Sequence, residues 1–140
     1  MTRIITLMNE KNHYLEKFYS LNEKELKNFL VGSFESIEYF YNSREKILEI
    51  IKYIDAQTEQ EQIRLAQELV AESDKLEIRR ALLIKDQYVE RILEQDLQIL
   101  SCIEATKNNL IKELQGISKN KKAVGGYKSK TFNHRLDEEA

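Results

Sequence analysis

Few side chains in this sequence belong to the types that carry out catalysis or bind metals. The two histidines, His13 and His134, lie in different parts of the chain, and Cys102 is the single cysteine. A metal site needs several such ligands at short spacing, and a Cys–His nucleophile needs both residue types together. A lone histidine on a helix could serve a phosphorelay, but no lysine–glycine pattern follows His13, which favours surface packing.

The glycines and the acidic residues are not spaced as in known catalytic motifs either. The sequence contains no glycine-rich phosphate loop and no nucleophile elbow, and its glutamates are spread around helical faces. Scattered carboxylates normally form a solvated surface instead of an acid–base pair. Cys102 cannot form an internal disulfide and is interpreted as a small packing residue. We therefore predict that the protein is not an enzyme and uses no metal or other cofactor.

Three charged residues, Arg44, Asp96 and Lys107, are more informative. Each lies within a series of apolar residues that are spaced alternately three and four positions apart. Such spacing is typical of a coiled-coil seam, where a charged residue can fix the register. We expect Arg44 to face Glu68 and Glu72, and we expect Asp96 and Lys107 either to be exposed or to help bind another molecule. The two series are Leu26, Leu30, Ser33, Ile37, Phe40, Arg44, Ile47, Ile51 and Ile54, and then Val89, Leu93, Asp96, Leu100, Ile103, Lys107, Leu110, Leu114 and Ile117.

The composition indicates that helices position these residues. The 140 residues include no proline and four glycines, whereas ordinary usage would give about seven and about ten. Sheet proteins with many turns need those residues. A hydrophobic fraction of 41% with 33% charged residues suits amphipathic helices. The sequence therefore predicts an all-α fold with coiled-coil seams.

The helices are predicted at about residues 2–20, 23–55 and 59–118, with a break or register shift near 73–74. Capping-box spacing starts at Ser20, Asn22 and Thr58, and Gly32 is expected inside the second helix. A reversal at 55–58 would give a long antiparallel hairpin. The rival arrangement is an elongated bundle of three or four helices. The sequence leaves both open.

The second predicted helix carries more apolar surface than one partner helix can cover. Phe34, Tyr41 and Leu48 flank its seam on one side, and Tyr39 and Tyr53 flank it on the other. We expect this helix to contact at least two others. Surplus apolar surface of this kind predicts a groove that binds an amphipathic helix of another protein.

Residues 119–140 are predicted to form a flexible tail, basic first and then acidic. Residues 119–135 hold six basic and no acidic residues, but the run is short and no recognition motif precedes it, so we expect no nucleic acid partner. The longest apolar run, residues 81–84, is far shorter than the roughly 20 residues of a membrane span. We predict a cytoplasmic protein without direct membrane insertion.

Three stretches resemble the C-terminal half of bacterial flagellar type III export chaperones of the FlgN type, with the FliT type a close second. These stretches are residues 89–100, residues 107–114, and the lysine pair, small residues and tyrosine of residues 121–127. The likeness covers roughly residues 85–130. The N-terminal half agrees with the family only in being helical.

The resemblance implies a chaperone that binds the amphipathic C-terminal helix of a hook–filament junction protein or a filament cap protein. Such chaperones dock on the export gate and its ATPase, and Tyr127 matches the tail tyrosine associated with gate docking. The seam from Val89 to Ile117, together with the first helix, is then the predicted client groove. The alternative is a coiled-coil scaffold that pairs with a second copy of itself and has no client.

Overall fold

The computed structural model describes the backbone of residues 2–123 and the side chains of residues 2–118. Three helices are present in this range: α1 (Thr2–Leu30), α2 (Ile37–Arg64) and α3 (Glu72–Ala123). No strand occurs in the described residues, so the all-α prediction is confirmed. The chain divides into two compact units, residues 1–99 and residues 100–140, and the division falls within α3.

The first unit is a bundle of three helices, so of the two arrangements that the sequence left open the structure has the bundle and not the hairpin. α1 and α2 are antiparallel, because Arg3 lies beside Glu61 while Glu25 contacts Ser36. α3 runs parallel to α1, because Asn12 bonds to Ala81 and Asn22 bonds to Gln95. The chain reverses at residues 31–36 and 65–71 and not at 55–58.

Gly32 ends α1 instead of lying inside a helix. Its φ is +75°, a conformation that glycine adopts without a Cβ penalty. The amide of Gly32 donates to the Phe29 carbonyl, and the amide of Ser33 donates to the Asn28 carbonyl. This is a Schellman arrangement, which satisfies the last carbonyls of a helix and turns the chain out of it.

The predicted break at residues 20–22 is absent because the capping residues there bind other helices. Asn22 is fully buried and donates to Gln95 of α3. Glu25 is buried and accepts from the Ser36 hydroxyl at 2.9 Å, just before α2 begins. Asn28 donates to the same hydroxyl. These side chains fasten α1 to its neighbours while the helix continues through them.

The predicted cap at Thr58 is also absent, because α2 continues through it to Arg64. The Thr58 hydroxyl donates to the Ile54 carbonyl within the helix. Two ion pairs tie this part of α2 to α1, namely Lys11 with Asp55 at 2.8 Å and Arg3 with Glu61 at 3.5 Å. The helical conformation is then interrupted at residues 65–71, whereas the break was predicted near 73–74.

The core of the first unit takes residues from all three helices. Leu15 and Phe18 of α1, Ile51 of α2 and Ile92 of α3 form one buried cluster. The α2 part of the first predicted seam is confirmed, since Phe40, Ile51 and Ile54 are buried. Tyr14, Tyr19, Ile47 and Tyr88 pack around this cluster.

The second predicted seam is displaced by one residue within the first unit. The side chains that α3 buries there are Ala81, Ile92, Gln95 and Ile99, whereas Val89 and Leu93 are exposed. The buried stripe includes a glutamine, because Gln95 finds hydrogen-bond partners on α1.

The predicted second domain begins at residue 119, but α3 continues to Ala123. The rest of the predicted tail, including Tyr127 and His134, lies outside the described residues. Among the helices described, none combines the length and the apolar character that a bilayer span requires.

Candidate binding groove

An apolar groove lies between α2 and α3 in the first unit, with α1 beneath it. The four residues of the core cluster, Leu15, Phe18, Ile51 and Ile92, form its floor. The cavity has a volume of about 210 Å³. The residues that line it are Leu15, Phe18, Arg44, Leu48, Ile51, Val89, Ile92, Leu93 and Asp96.

Exposed aliphatic side chains form both rims of this groove. Leu48 of α2 is 47% exposed, while Val89 and Leu93 of α3 are 38% and 59% exposed. Apolar side chains that stand on opposite sides of an apolar floor leave a surface that a partner can cover. The rims and the floor together form an apolar surface that is open to solvent.

A charged pair is part of the groove lining. Arg44 of α2 donates from Nη2 to Asp96 Oδ1 of α3 at 3.1 Å. The Arg44 guanidinium also lies 4.8 Å from the Phe18 ring centroid and 5.2 Å from that of Phe40, within cation–π distance. Two rings and a carboxylate thus fix this arginine in place. Its head group is a preorganised polar contact beside the apolar rims.

The predicted partners of Arg44 were therefore wrong. Glu68 lies in the connection after α2, and Glu72 begins α3. α2 continues for nine residues beyond Asp55. The later reversal places Asp96 of α3 beside Arg44. As expected, Arg44 pairs with an acidic residue of a neighbouring helix. Its partner was misassigned because the reversal was placed too early.

A buried polar network sets the rotation of α3 that aims Val89 and Leu93 at the groove. Gln95 Oε1 accepts from Asn22 Nδ2 at 3.1 Å. Gln95 Nε2 donates to the Tyr19 carbonyl at 3.0 Å and to Glu23 Oε1 at 3.1 Å. Gln95 points toward α1, and Asp96, the next residue, can therefore turn toward α2. Sequence reasoning missed this glutamine, although Asn22 within an apolar helix face was a signal.

Three of the nine predicted client-binding residues line this groove: Val89, Leu93 and Asp96. The other six belong to the second unit, in which Leu100, Lys107, Leu110 and Ile117 are exposed and Ile103 and Leu114 are half-buried. Leu48 was predicted only as a flanking apolar residue. It supplies the α2 rim.

The described residues that line the groove include no group arranged for catalysis. Arg44 and Asp96 are its only ionisable lining residues, and they are paired with each other. Cys102 is half-buried and lies outside it, and His13 is exposed with its ring against Tyr14. Within the part of the chain that the structure describes, no cluster of His, Cys, Asp or Glu could hold a metal ion.

Comparison with protein-family models, curated proteins and solved structures gave no match to this chain.

Proposed function

We propose that this protein is an export chaperone whose α2–α3 groove binds an amphipathic helix of a client protein. The observation that carries the proposal is the pair of exposed aliphatic rims, Leu48 facing Val89 and Leu93, above a buried apolar floor. A helix that presents apolar residues at i, i+3, i+4 and i+7 covers such a groove between two helices. The Arg44–Asp96 pair supplies a polar contact that orients it.

The sequence resemblance supplies the client and the destination in this proposal. The client helix is the C-terminal helix of a hook–filament junction protein or a filament cap protein. The chaperone holds it in the cytoplasm and delivers it to the flagellar export gate and its ATPase. In the same proposal Tyr127, matched to the family's docking tyrosine, contacts the gate.

Leu93 and a matched leucine of the same helix test the proposed client groove. Leu93→Lys should weaken binding of a labelled C-terminal helix peptide of the junction or cap protein by about tenfold or more. The reason is that covering a leucine with an apolar partner contributes about 1.5–3 kcal/mol, and 1.4 kcal/mol corresponds to a factor of about ten. Fluorescence anisotropy measures the affinity.

Leu83→Lys is the control, because Leu83 is 60% exposed and lies outside the groove lining. Both substitutions are at exposed positions, so both proteins should fold normally. Equal affinity of the Leu93→Lys protein and the unmodified protein for every junction and cap peptide tested, or no binding by either, contradicts the proposal.

Self-association is the second candidate function, and the spacing of other exposed leucines favours it. Leu76, Leu83 and Leu97 are all more than half exposed, and their numbers differ by multiples of seven. Residues seven apart lie on nearly the same face of a helix, as in a coiled coil. Light scattering distinguishes the two candidates. A dimer that Leu83→Lys dissociates, and that no client peptide disturbs, supports the scaffold.

A further inference from the structure

A second groove lies on the opposite flank of α2, between α2 and α1, and its chemistry differs from that of the first. It has a volume of about 480 Å³. Leu21, Ser43 and Ile47 are half-buried along it, and Tyr39, which is 69% exposed, stands on its α2 side. The middle of this groove is therefore mostly apolar, with one large aromatic side chain available to a partner.

The α1 side of this second groove is basic. Lys17 and Lys24 are exposed there, against one acid, Glu16, and His13 lies on the same side. Neither lysine forms an ion pair with another described residue. The Lys17 ammonium lies 5.1 Å from the centroid of the Tyr14 ring. By contrast, the ionisable residues of the first groove neutralise each other. The second groove thus keeps positive charge available.

The spacing of the two lysines specifies the shape of the partner. Seven residues separate them, so they lie on one face of α1 about 10 Å apart along its axis. Acidic side chains at i and i+7 of a partner helix have the same separation. Apolar residues on the adjoining stripe of that helix would cover Leu21, Ile47 and Tyr39.

We infer that the groove between α1 and α2 binds an acidic amphipathic helix of a second protein, independently of the α2–α3 groove. The inference goes beyond the proposed function, because it assigns a second partner to a different surface. It implies that one copy of the protein can hold two helices simultaneously, one on each flank of α2.

The test uses a labelled 20-residue peptide with a leucine stripe and flanking glutamates seven residues apart. Its comparison peptide has lysine in place of each glutamate. The acidic peptide should bind, the basic peptide should bind at least tenfold more weakly, and raising the salt concentration from 50 to 300 mM should weaken the acidic peptide several-fold. Equal binding of the two peptides, or no binding of either, overturns the inference.

Three variants locate the peptide on the protein. Lys17→Glu with Lys24→Glu should reduce acidic peptide affinity by at least tenfold, and Tyr39→Ala should reduce it several-fold. Lys52→Glu with Lys112→Glu makes the same change in net charge at exposed positions outside this groove and should leave the affinity unchanged. Circular dichroism melting curves establish that each variant is folded. Similar losses in both double variants would show only a net-charge effect and would overturn the inference.

Two further measurements distinguish binding in this groove from binding in the α2–α3 groove and from attachment to a membrane. Leu93→Lys should leave acidic peptide binding intact, and loss of binding in that variant would place the peptide in the α2–α3 groove and overturn the inference. Vesicles of phosphatidylserine and phosphatidylcholine serve as the other arm. The inference is overturned if the unmodified protein binds the vesicles but not the peptide, and if Lys17→Glu with Lys24→Glu abolishes the vesicle binding. That result would assign the basic side to a membrane surface.

Discussion

Arg44 illustrates how a single side chain can serve both the core and the groove. Its guanidinium contacts two aromatic rings of the interior, and it also donates to the half-exposed carboxylate of Asp96. A partly buried pair of this kind should contribute more than a fully exposed one, because water screens it less. Sequence reasoning could identify Arg44 as a structural residue within a seam. It could not identify the partner, which depends on where the chain reverses.

Replacing either member of this pair should destabilise the first unit. We expect Asp96→Asn to lower the free energy of unfolding by about 1 kcal/mol, and Arg44→Ala to lower it more, because the cation–π contacts and the packing of the arginine stem are lost as well. Urea unfolding measures both. Arg44→Met keeps most of the stem, so it should fall between them. A double-mutant cycle of Asp96→Asn with Arg44→Met showing no coupling would contradict a direct pair.

At the scale of the element, the connections between helices proved harder to predict than the helices themselves. The α2 seam was recognisable because Ile37, Phe40, Ile47, Ile51 and Ile54 follow a strict pattern that a buried face requires. The connection at residues 65–71 contains neither glycine nor proline, so no local signal marks the end of α2. Leu65, the first residue after α2, is buried, so its packing favours an end at this point.

Other errors in the elements arose because polar residues were read as local signals. Asn22 and Glu25 have the spacing of a helix cap, but they form tertiary hydrogen bonds that a sequence pattern does not distinguish from capping. Gln95 was not expected in the core because its hydrogen-bond partners lie on α1, more than 70 positions away in the sequence. The groove was predictable only in part. Its α3 residues follow an apolar stripe in the sequence, whereas the position of Leu48 on the other rim depends on how α2 packs against α3.

The two described glycines should respond oppositely to alanine. Gly32→Ala should destabilise the protein by about 1–2 kcal/mol, because an L residue is strained at a positive φ. Gly116→Ala should stabilise α3 by up to about 1 kcal/mol, because alanine is the better helix former. A Cβ at either position meets no atom within 4 Å, so steric clash does not enter. Thermal unfolding of both variants checks the prediction, and a shift of the same sign in both would contradict it.

At the scale of the whole molecule, stability should depend on pH through the contacts of Glu61. The hydrogen bond from Arg64 holds the pKa of the Glu61 carboxyl below its ordinary value of 4.5. The carboxylate is favoured in the folded state, so its contribution is fully present above that value. It is lost as the pH falls through the lowered pKa.

Glu61→Gln should therefore lower the thermal unfolding midpoint at pH 7, and the difference from the unmodified protein should shrink as the pH falls through the lowered pKa of Glu61. Glu72→Gln is the control. Glu72 also pairs with a residue three positions away, but its side chain is 86% exposed, so that pair is screened by water. A difference between the Glu61→Gln protein and the unmodified protein that grows toward acid pH would have the wrong sign.

The parallel arrangement of α1 and α3 places their contacts far apart in the sequence, which indicates an order in which the helices should dock. The contacts at the corner between α1 and α2 join residues 8 or 11 positions apart, whereas the hydrogen bonds between α1 and α3 join residues 69 to 76 positions apart. Closing the longer loops costs more entropy, so α3 should dock last. In that order we expect the α1–α2 groove to form before the α2–α3 groove. A chain emerging from the ribosome would acquire its basic surface first and its apolar groove only in the final folding step.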